Sequence, residues 1–188
     1  MNSDIDTPAK SGLSSFLGSV LEMVVLVALA FIIAQGIKTF LVEPFLVPSG
    51  SMIPTIELRD RVLANKLSFW LGAKPQRGDI VVLDDPTGEY PQLIKRVVAV
   101  GGDTIDLVDG KVYLNGELLD EPYTYGKPTM PLGGIEFPHT VDVDSILVMG
   151  DNRTNSADGR VFGDTPIKNV NGRGFWTYWP LDRFGPLE

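Results

Sequence analysis

From Phe16 to about Ile37 the chain is apolar, and Glu22 is the only acid inside the run. Such a run is long enough for a transmembrane helix, which needs about 20 residues. Two other readings compete: a cleaved signal peptide and a buried core helix. Ala28-Leu29-Ala30 has the small-x-small form of a cleavage site. Cleavage there would leave Phe31-Ile32-Ile33 as an apolar new terminus, and no basic segment precedes the run. The reading therefore favours a retained membrane anchor over residues 16–37. Charge does not orient it, because Lys10 lies on one side and Lys38 on the other. Residues 1–15 are polar, rich in Ser and Asp, without periodicity, and read as a disordered tail.

Residues 38–188 are enough for one sizeable domain. The formal net charge of −8 speaks against nucleic acid as a partner, since phosphate binding needs clustered Lys and Arg. There is no cysteine, which removes thiol nucleophiles, disulfides and cysteine-ligated metals together. The single histidine, His139, follows Pro138 in a loop and is expected at the surface. A Ser-His-Asp triad would have to use it, and no zinc site can be built from several imidazoles. Neither a metal nor a cofactor is called for.

The fold expected is mainly β: antiparallel sheets with long loops, preceded by one N-terminal transmembrane helix. Phe40 to Val47 is apolar and extended. Asp79–Leu83, Leu93–Val100 and Ser145–Met149 are short Val/Ile-rich runs bounded by Gly, Pro and Asp, and Phe175–Trp179 is a last aromatic strand. Asp109-Gly110 and Asn115-Gly116 are hairpin turn signals flanking Lys111–Leu114. Tyr123–Pro138, rich in Pro and Gly, reads as a long loop. No helical crossovers separate the strands, so an antiparallel arrangement follows. Leu67–Leu71, with Trp70, is either core or a segment dipping into a membrane interface.

Three stretches carry candidate chemistry. The first is Pro48-Ser49-Gly50-Ser51-Met52-Ile53-Pro54-Thr55, where prolines fix φ at both ends and Gly50 permits a tight turn before Ser51. It follows the extended segment after the anchor, so Ser51 is expected near the membrane face. It reads either as an ordinary turn or as the loop of a serine nucleophile. The second is Leu93–Val100, where alternation puts Leu93, Lys95, Val97 and Ala99 on one face and Ile94, Arg96, Val98 and Val100 on the other. Lys95 then has apolar neighbours on its own face. It either snorkels to water or is buried with a depressed pKa. A neutral lysine can take a proton from a serine hydroxyl. The third is Gly150–Arg160, dense in turn-forming polar residues, in which Asp151, Arg153, Asp158 and Arg160 can pair with one another. A calcium loop fits it poorly, because the acidic spacing is wrong and no bidentate Glu closes it.

Taken in order, these stretches resemble the type I (leader) signal peptidases of the short, bacterial, single-anchor kind. The resemblance runs through Glu43-Pro44-Phe45, the Ser51 loop, Arg77-Gly78-Asp79-Ile80-Val81-Val82, Ile94-Lys95-Arg96-Val97, Gly101-Gly102-Asp103, Gly150–Arg160 and Gly163. It implies a Ser-Lys dyad, with Ser51 as nucleophile and Lys95 as general base. It implies an oxyanion hole from Ser49 and the Ser51 backbone N–H, Ser156 orienting the lysine amine, and Asp158 with Arg160 bracing the loop. It further implies that Phe45, Val47, Met52, Ile56 and Ile94 line pockets for small residues at −1 and −3 of preprotein signal peptides. Gly159, where many relatives carry serine, and Thr154, often an acid, depart from the pattern.

The function implied is a serine endopeptidase of the cell membrane, single-pass in the lipid bilayer. It would remove signal peptides from exported preproteins, with a β-rich peptidase domain over residues 38–188 outside the cytoplasm. Two rivals remain from the sequence. A Ser-Lys self-cleaving regulator of the repressor type would carry a DNA-binding segment or cleavable linker in place of the anchor. A non-enzymatic anchored β module would keep Ser51 and Lys95 apart.

Overall fold

The structure, a computed structural model, describes residues 12–187. The chain divides into two compact units, Met1–Phe40 and Leu41–Glu188. Residues 1–11 of the expected tail lie outside the described residues, whereas residues 12–15 already belong to a helix. That helix, α1, spans Gly12–Phe40. Its apolar part, Ser15–Gly36, covers 22 residues. At the helical rise this is about 33 Å, matched to a hydrocarbon core of about 30 Å. Its described side chains are exposed on every side. Ser19 Oγ donates to the Ser15 carbonyl within the helix, so this hydroxyl needs no external acceptor.

The second unit is built from antiparallel strands. They are β1 (Val42–Leu46), β2 (Arg61–Asn65), β3 (Ile80–Asp84), β4 (Gln92–Val100), β5 (Thr104–Val108), β6 (Lys111–Leu114), β7 (Glu117–Leu118), β8 (His139–Thr140), β9 (Ser145–Met149), β10 (Thr165–Pro166), β11 (Val170–Trp179) and β12 (Gly185–Pro186). The larger sheet runs β1-β2-β11-β3-β4-β9-β10, with β12 on β11, and the smaller one runs β7-β6-β5-β8. Both expected hairpin turns form. Val108 faces Lys111 across Asp109-Gly110, and Leu114 faces Glu117 across Asn115-Gly116. All four turn residues have positive φ, the type I′ geometry that Asp-Gly and Asn-Gly adopt at little cost.

β4 is central, paired with β3 on one side and β9 on the other, and Ile94 to Ala99 are all buried. Strict alternation holds only as far as Val98. A bulge in the pairing with β9, between Val97/Val148 and Ala99/Leu147, inserts one residue. Ala99 consequently packs beside Val98 against Ile105 and Val112 of the smaller sheet, and Val100 packs with Val97. The face expected for Ala99 and Val100 is thereby reversed, as a one-residue insertion in a period of two requires.

Leu67–Leu71 is neither simply core nor simply surface. Leu67–Trp70 forms a single helical turn, α2; Phe69 packs on the core while Trp70 and Leu71 are exposed. His139 lies in β8 rather than a loop. It is half-buried and its Nε2 is 2.9 Å from Asp164 Oδ1, because pairing with β5 turns it toward that carboxylate.

A further short helix, α3 (Gly159–Phe162), follows β9 and packs closely on it. A Cβ at Gly159 would lie 2.7 Å from Leu147 Cδ1 and 2.8 Å from the Val148 carbonyl oxygen. The glycine departure noted in the sequence is thus matched by tight contact with β9, leaving no space for a side chain. Gly159→Ser is expected to destabilise the protein by about 1–3 kcal/mol, the usual penalty of overpacking. Thermal unfolding in detergent measures it, and an unchanged midpoint would show that β9 yields freely.

Candidate active site

Ser51 stands on the connection from β1 to β2. Hydrogen bonds from Val47 N to the Asp60 carbonyl (2.9 Å) and from Arg59 N to the Val47 carbonyl (3.0 Å) close the neck of this loop. Inside it, Met52 and Ile56 are fully buried and join Val47, Val62, Ile80 and Ile94 in one apolar cluster. These side chains drive the loop into the core and leave Ser51 only 6% exposed. Gly50 does not take a positive φ; what it supplies is room, since a Cβ there would already touch Ile53 Cδ1 at 3.0 Å.

Lys95 extends from β4, opposite Val81 of β3, and is 2% exposed. Its Nζ lies 2.6 Å from Ser51 Oγ. Ser49 Oγ approaches the same oxygen at 3.4 Å. Burial pushes the Lys95 ammonium down to about 8, against the opposing pull of Asp158, Asp85 and Asp151 and with help from Arg160. The dominant cause is desolvation of the charged form.

Gly150–Arg160 wraps behind the pair. Asp158 caps α3, accepts from the Gly150 N–H at 3.0 Å and takes Arg160 Nε and Nη2 at 2.9 and 2.8 Å. Burial alone would raise its carboxyl, but the Arg160 guanidinium and the Gly150 N–H outweigh that and hold it below the usual carboxylate range. Arg160 also donates to the Arg153 and Met130 carbonyls. The other charges of this stretch do not pair within it. Asp151 binds Arg96 of β4 at 2.9 and 2.8 Å and accepts from Thr55 Oγ1 at 2.5 Å, and Arg153 pairs with Glu121. Tyr123 lies under the Arg96 guanidinium, 4.0 Å from carbon to ring centre. Gly150 is obligatory on steric grounds: a Cβ there would collide with Ser156 Oγ and the Ser51 carbonyl oxygen.

The whole chain can be set beside known proteins. The family model described as signal peptidase, peptidase S26, matches residues 20–179. A signal peptidase I of Leptolyngbya laminosa is 38% identical over 175 residues, 89% of this chain and 83% of that protein. A probable signal peptidase I-2 of Synechocystis sp. is 39% identical over 164 residues, covering 84% and 72%. The chain belongs to the signal peptidase family. A solved signal peptidase I of Enterococcus faecalis V583 aligns with a TM-score of 0.47 at 30% identity, over 54% of this chain and 97% of that one.

This signal peptidase is therefore a serine peptidase of the signal peptidase I type, and the residues expected at its site fall into four groups. Ser49, Ser51 and Lys95 come together in one cleft of about 170 Å³, with Ala157 on its rim. Asp158 and Arg160 form a fully buried ion pair behind it. Ser156 Oγ is buried and has no hydrogen-bond partner among the described residues, though it lies near enough to the Asp158 carboxylate to favour its ionised form. Val47, Met52, Ile56 and Ile94 do not line the cleft. They are core, between 0 and 2% exposed, and only Phe45 of the expected pocket set reaches the surface. The physical reason is that the residues fastening the Ser51 loop are consumed in holding it.

The cleft has lining residues that the sequence reading did not single out: Asp85, Thr87, Glu89, Tyr90 and Leu93, from the β3–β4 connection and the start of β4. Asp85 organises that connection, accepting from Thr87 N and Oγ1 at 2.8 and 2.7 Å and from Tyr90 N at 2.9 Å. Burial opposes its ionisation, but these donors prevail and keep its carboxyl low, so it faces Lys95 as an anion. The signal for this was local: Asp85-Pro86-Thr87-Gly88 is a turn cluster placed directly before the lysine strand.

Burying Lys95 has a sign that can be measured. Its folded pKa is below the unfolded value, so below about 8 both states carry the proton and folding bears the full penalty of the buried cation. That penalty is on the order of 3 kcal/mol. It is relieved as pH rises from about 8 toward 10.5, where the folded state releases the proton first. Lys95→Met is expected to be more stable than the parent at pH 7, with the advantage shrinking at higher pH. Paired unfolding curves from pH 6 to 10 check this, and a pH-independent difference would count against a buried titrating amine.

Proposed function

We propose that this signal peptidase is held in the cell membrane by its apolar helix and cleaves signal peptides from exported preproteins with a Ser51–Lys95 dyad, its Leu41–Glu188 unit lying outside the cytoplasm. In this division residues 16–37 are the anchor and 38–188 the peptidase domain. The observation that carries the catalytic part is the 2.6 Å approach of Lys95 Nζ to Ser51 Oγ in a site where both are buried. A non-enzymatic module would have no reason to keep these groups in contact. An amine with a pKa near 8 is appreciably neutral at physiological pH and can accept a proton.

In the neutral amine the contact runs from hydroxyl to nitrogen. Lys95 takes the Ser51 proton as Oγ attacks the scissile carbonyl carbon, and the tetrahedral oxyanion is met by the Ser51 N–H and the Ser49 hydroxyl. Collapse breaks the peptide C–N bond, and the Lys95 ammonium returns its proton to the leaving amine. Lys95, neutral again, takes a proton from water as it attacks the Ser51 ester; the acyl C–Oγ bond breaks, the Lys95 ammonium returns that proton to Ser51 Oγ, and the signal peptide leaves as a carboxylic acid that ionises in water. Ser156, whose buried hydroxyl lies near Asp158, is proposed to steady the amine between these steps. Asp158 and Arg160 keep the surrounding loop in place.

Selection of small residues at −1 and −3 is supported by the packing. Phe45, Val47, Met52, Ile56 and Ile94 form close-packed apolar surface and core beside the nucleophile loop. A methyl group asks little of such a wall, whereas a phenyl ring asks for displacement of the residues that position Ser51. Peptides with Ala at −1 are expected to be cut at least about 10²-fold better in kcat/KM than those with Phe there, given typical penalties of a few kcal/mol for overpacking. Equal kcat/KM would remove the pocket assignment while leaving the dyad intact.

The dyad has its own test. Ser51→Ala is expected to fold and to turn over no preprotein. Lys95→Arg is expected to be inactive at every pH from 6 to 10, because guanidinium keeps its proton in proteins. Activity of the parent enzyme is expected to fall as pH drops through about 8, where the amine becomes protonated. Cleavage by the arginine variant at any of these pH values would rule out lysine as the proton acceptor.

A further inference from the structure

Ser51 contributes a backbone N–H as well as a hydroxyl to the proposed mechanism, and the direction of that N–H is set by the Gly50–Ser51 peptide plane. In a trans peptide the carbonyl and the N–H point in opposite directions, so whatever grips the Gly50 oxygen aims the Ser51 N–H. Within the loop the Ile53 N–H reaches it at 3.3 Å; the group that grips it from outside the loop is Asn152. Its Nδ2 donates to the Gly50 carbonyl at 3.0 Å, across a sequence separation of 102 residues. Its backbone N–H donates to the Ser51 carbonyl at 2.9 Å, which fixes the next peptide plane as well. One residue, 7% exposed, therefore holds the planes on both sides of the nucleophile's Cα.

An amide can present either end, and only the nitrogen can serve a carbonyl. The ambiguity is removed by Lys127, whose Nζ donates to Asn152 Oδ1 at 2.8 Å. With the oxygen committed to a cation, Nδ2 faces Gly50. The Asn152 carbonyl in turn accepts from Asn155 N at 2.8 Å, which closes the turn around it. Next to it, Asp151 accepts from Thr55 Oγ1 at 2.5 Å, so the far end of the serine loop is tied to the same turn. A hydrogen bond accepted at the Gly50 oxygen also polarises the peptide and strengthens its N–H as a donor.

We propose that Asn152 is a positioning residue for the oxyanion donor: held in one amide orientation by Lys127, it aims the Ser51 backbone N–H at the developing oxyanion. The inference rests on Ser51 acting as nucleophile and oxyanion donor. Asn152 touches neither substrate nor the reacting atoms, and it acts through the Gly50–Ser51 peptide.

The test uses the full chain in detergent with a preprotein peptide carrying Ala at −1 and −3. Three variants are compared with the parent by kcat, KM, pH profile and unfolding midpoint. Asn152→Asp keeps the backbone hydrogen bond and the pairing with Lys127 but sets a carboxylate oxygen against the Gly50 carbonyl. Asn152→Ala removes the donor. Both are expected to lose about 10²-fold or more in kcat, the scale of a lost oxyanion donor. KM is expected to stay within about twofold, and in Asn152→Ala the acid limb of the profile is unmoved, because the lost interaction belongs to the transition state and not to Lys95; Asn152→Asp adds an anion near the amine, so its kcat is read on the alkaline plateau. Lys127→Met is expected to lose about tenfold in kcat, the weight of one hydrogen bond that no longer orders the amide. A merely structural role would lower the unfolding midpoint and leave kcat per folded enzyme unchanged, which overturns the proposal. So would a displaced acid limb in Asn152→Ala, which would mean that Asn152 acts on Lys95. If Asn152→Ala does not fold, Asn152→Asp and Lys127→Met decide alone. Ser51→Ala separates the two levels: an inert Ser51→Ala beside a fully active Asn152→Asp overturns this inference only, whereas an active Ser51→Ala removes the reading beneath it.

Discussion

A largely buried lysine amine pressed against a serine hydroxyl is the contact on which the rest of this site depends. Burial by itself would drive Lys95 far down, while an anionic neighbour would hold it protonated. Three carboxylates, Asp158, Asp85 and Asp151, pull on the amine from nearby. Two of them are engaged elsewhere: Asp158 with Arg160 and Asp151 with Arg96, each pair almost fully buried. These guanidiniums let carboxylates structure the loops around the lysine without claiming its proton. A buried ion pair contributes little to net stability. Here its consequence is electrostatic: it supplies rigid hydrogen-bond acceptors with much of their field already neutralised.

Sheet order explains how the groups meet. β4 lies beside β9, so the lysine strand and the loop leaving β9 share one end of the sheet. The serine loop reaches them from the connection between β1 and β2 and is attached by Asn152 and Asp151 rather than by strand pairing. Gly150 is the closest point of that junction. Any side chain there would push Ser51 and Ser156 apart from the backbone that carries them. The dyad contact therefore requires a glycine at the end of β9, two buried arginines and an apolar plug of Met52 and Ile56, none of which performs chemistry.

Much of this was legible in the sequence where the signal was local. The two I′ hairpins were readable because Asp-Gly and Asn-Gly encode positive φ in themselves. The apolar strand neighbours of Lys95 left burial and snorkelling both open; the fold buries it, and burial gives it a pKa of about 8. Features set by distant partners were not legible. The bulge between Val97 and Ala99 depends on β9 and reverses two residues of an otherwise regular alternation. The charges of Gly150–Arg160 are numerous enough to pair with one another, yet Asp151 and Arg153 pair with residues 55 and 32 positions away. His139 follows a proline and looked exposed until pairing with β5 turned it to Asp164. The resemblance to signal peptidases supplied residue roles, but it could not show that four of the five expected pocket residues are core.

That last displacement has a physical consequence for how such a site can vary. Val47, Met52, Ile56 and Ile94 hold the Ser51 loop by close packing, and in the proposed reading the same packing excludes large residues from the substrate's −1 and −3 positions. Widening the site by truncating one of them would leave a cavity, and Ile→Ala or Met→Ala changes in a core cost about 2–5 kcal/mol. The loop would relax into that space, moving Ser51 relative to an amine 2.6 Å away. Displacements on the ångström scale are enough to lose most of a proximity effect. In that reading, specificity and the placement of Ser51 are coupled through one apolar cluster. A change of preferred side chain that spares the rate has to come from residues that touch substrate without fastening the loop. The Asp85–Leu93 rim of the cleft lies outside that cluster and is the place for such a change in the proposed reading.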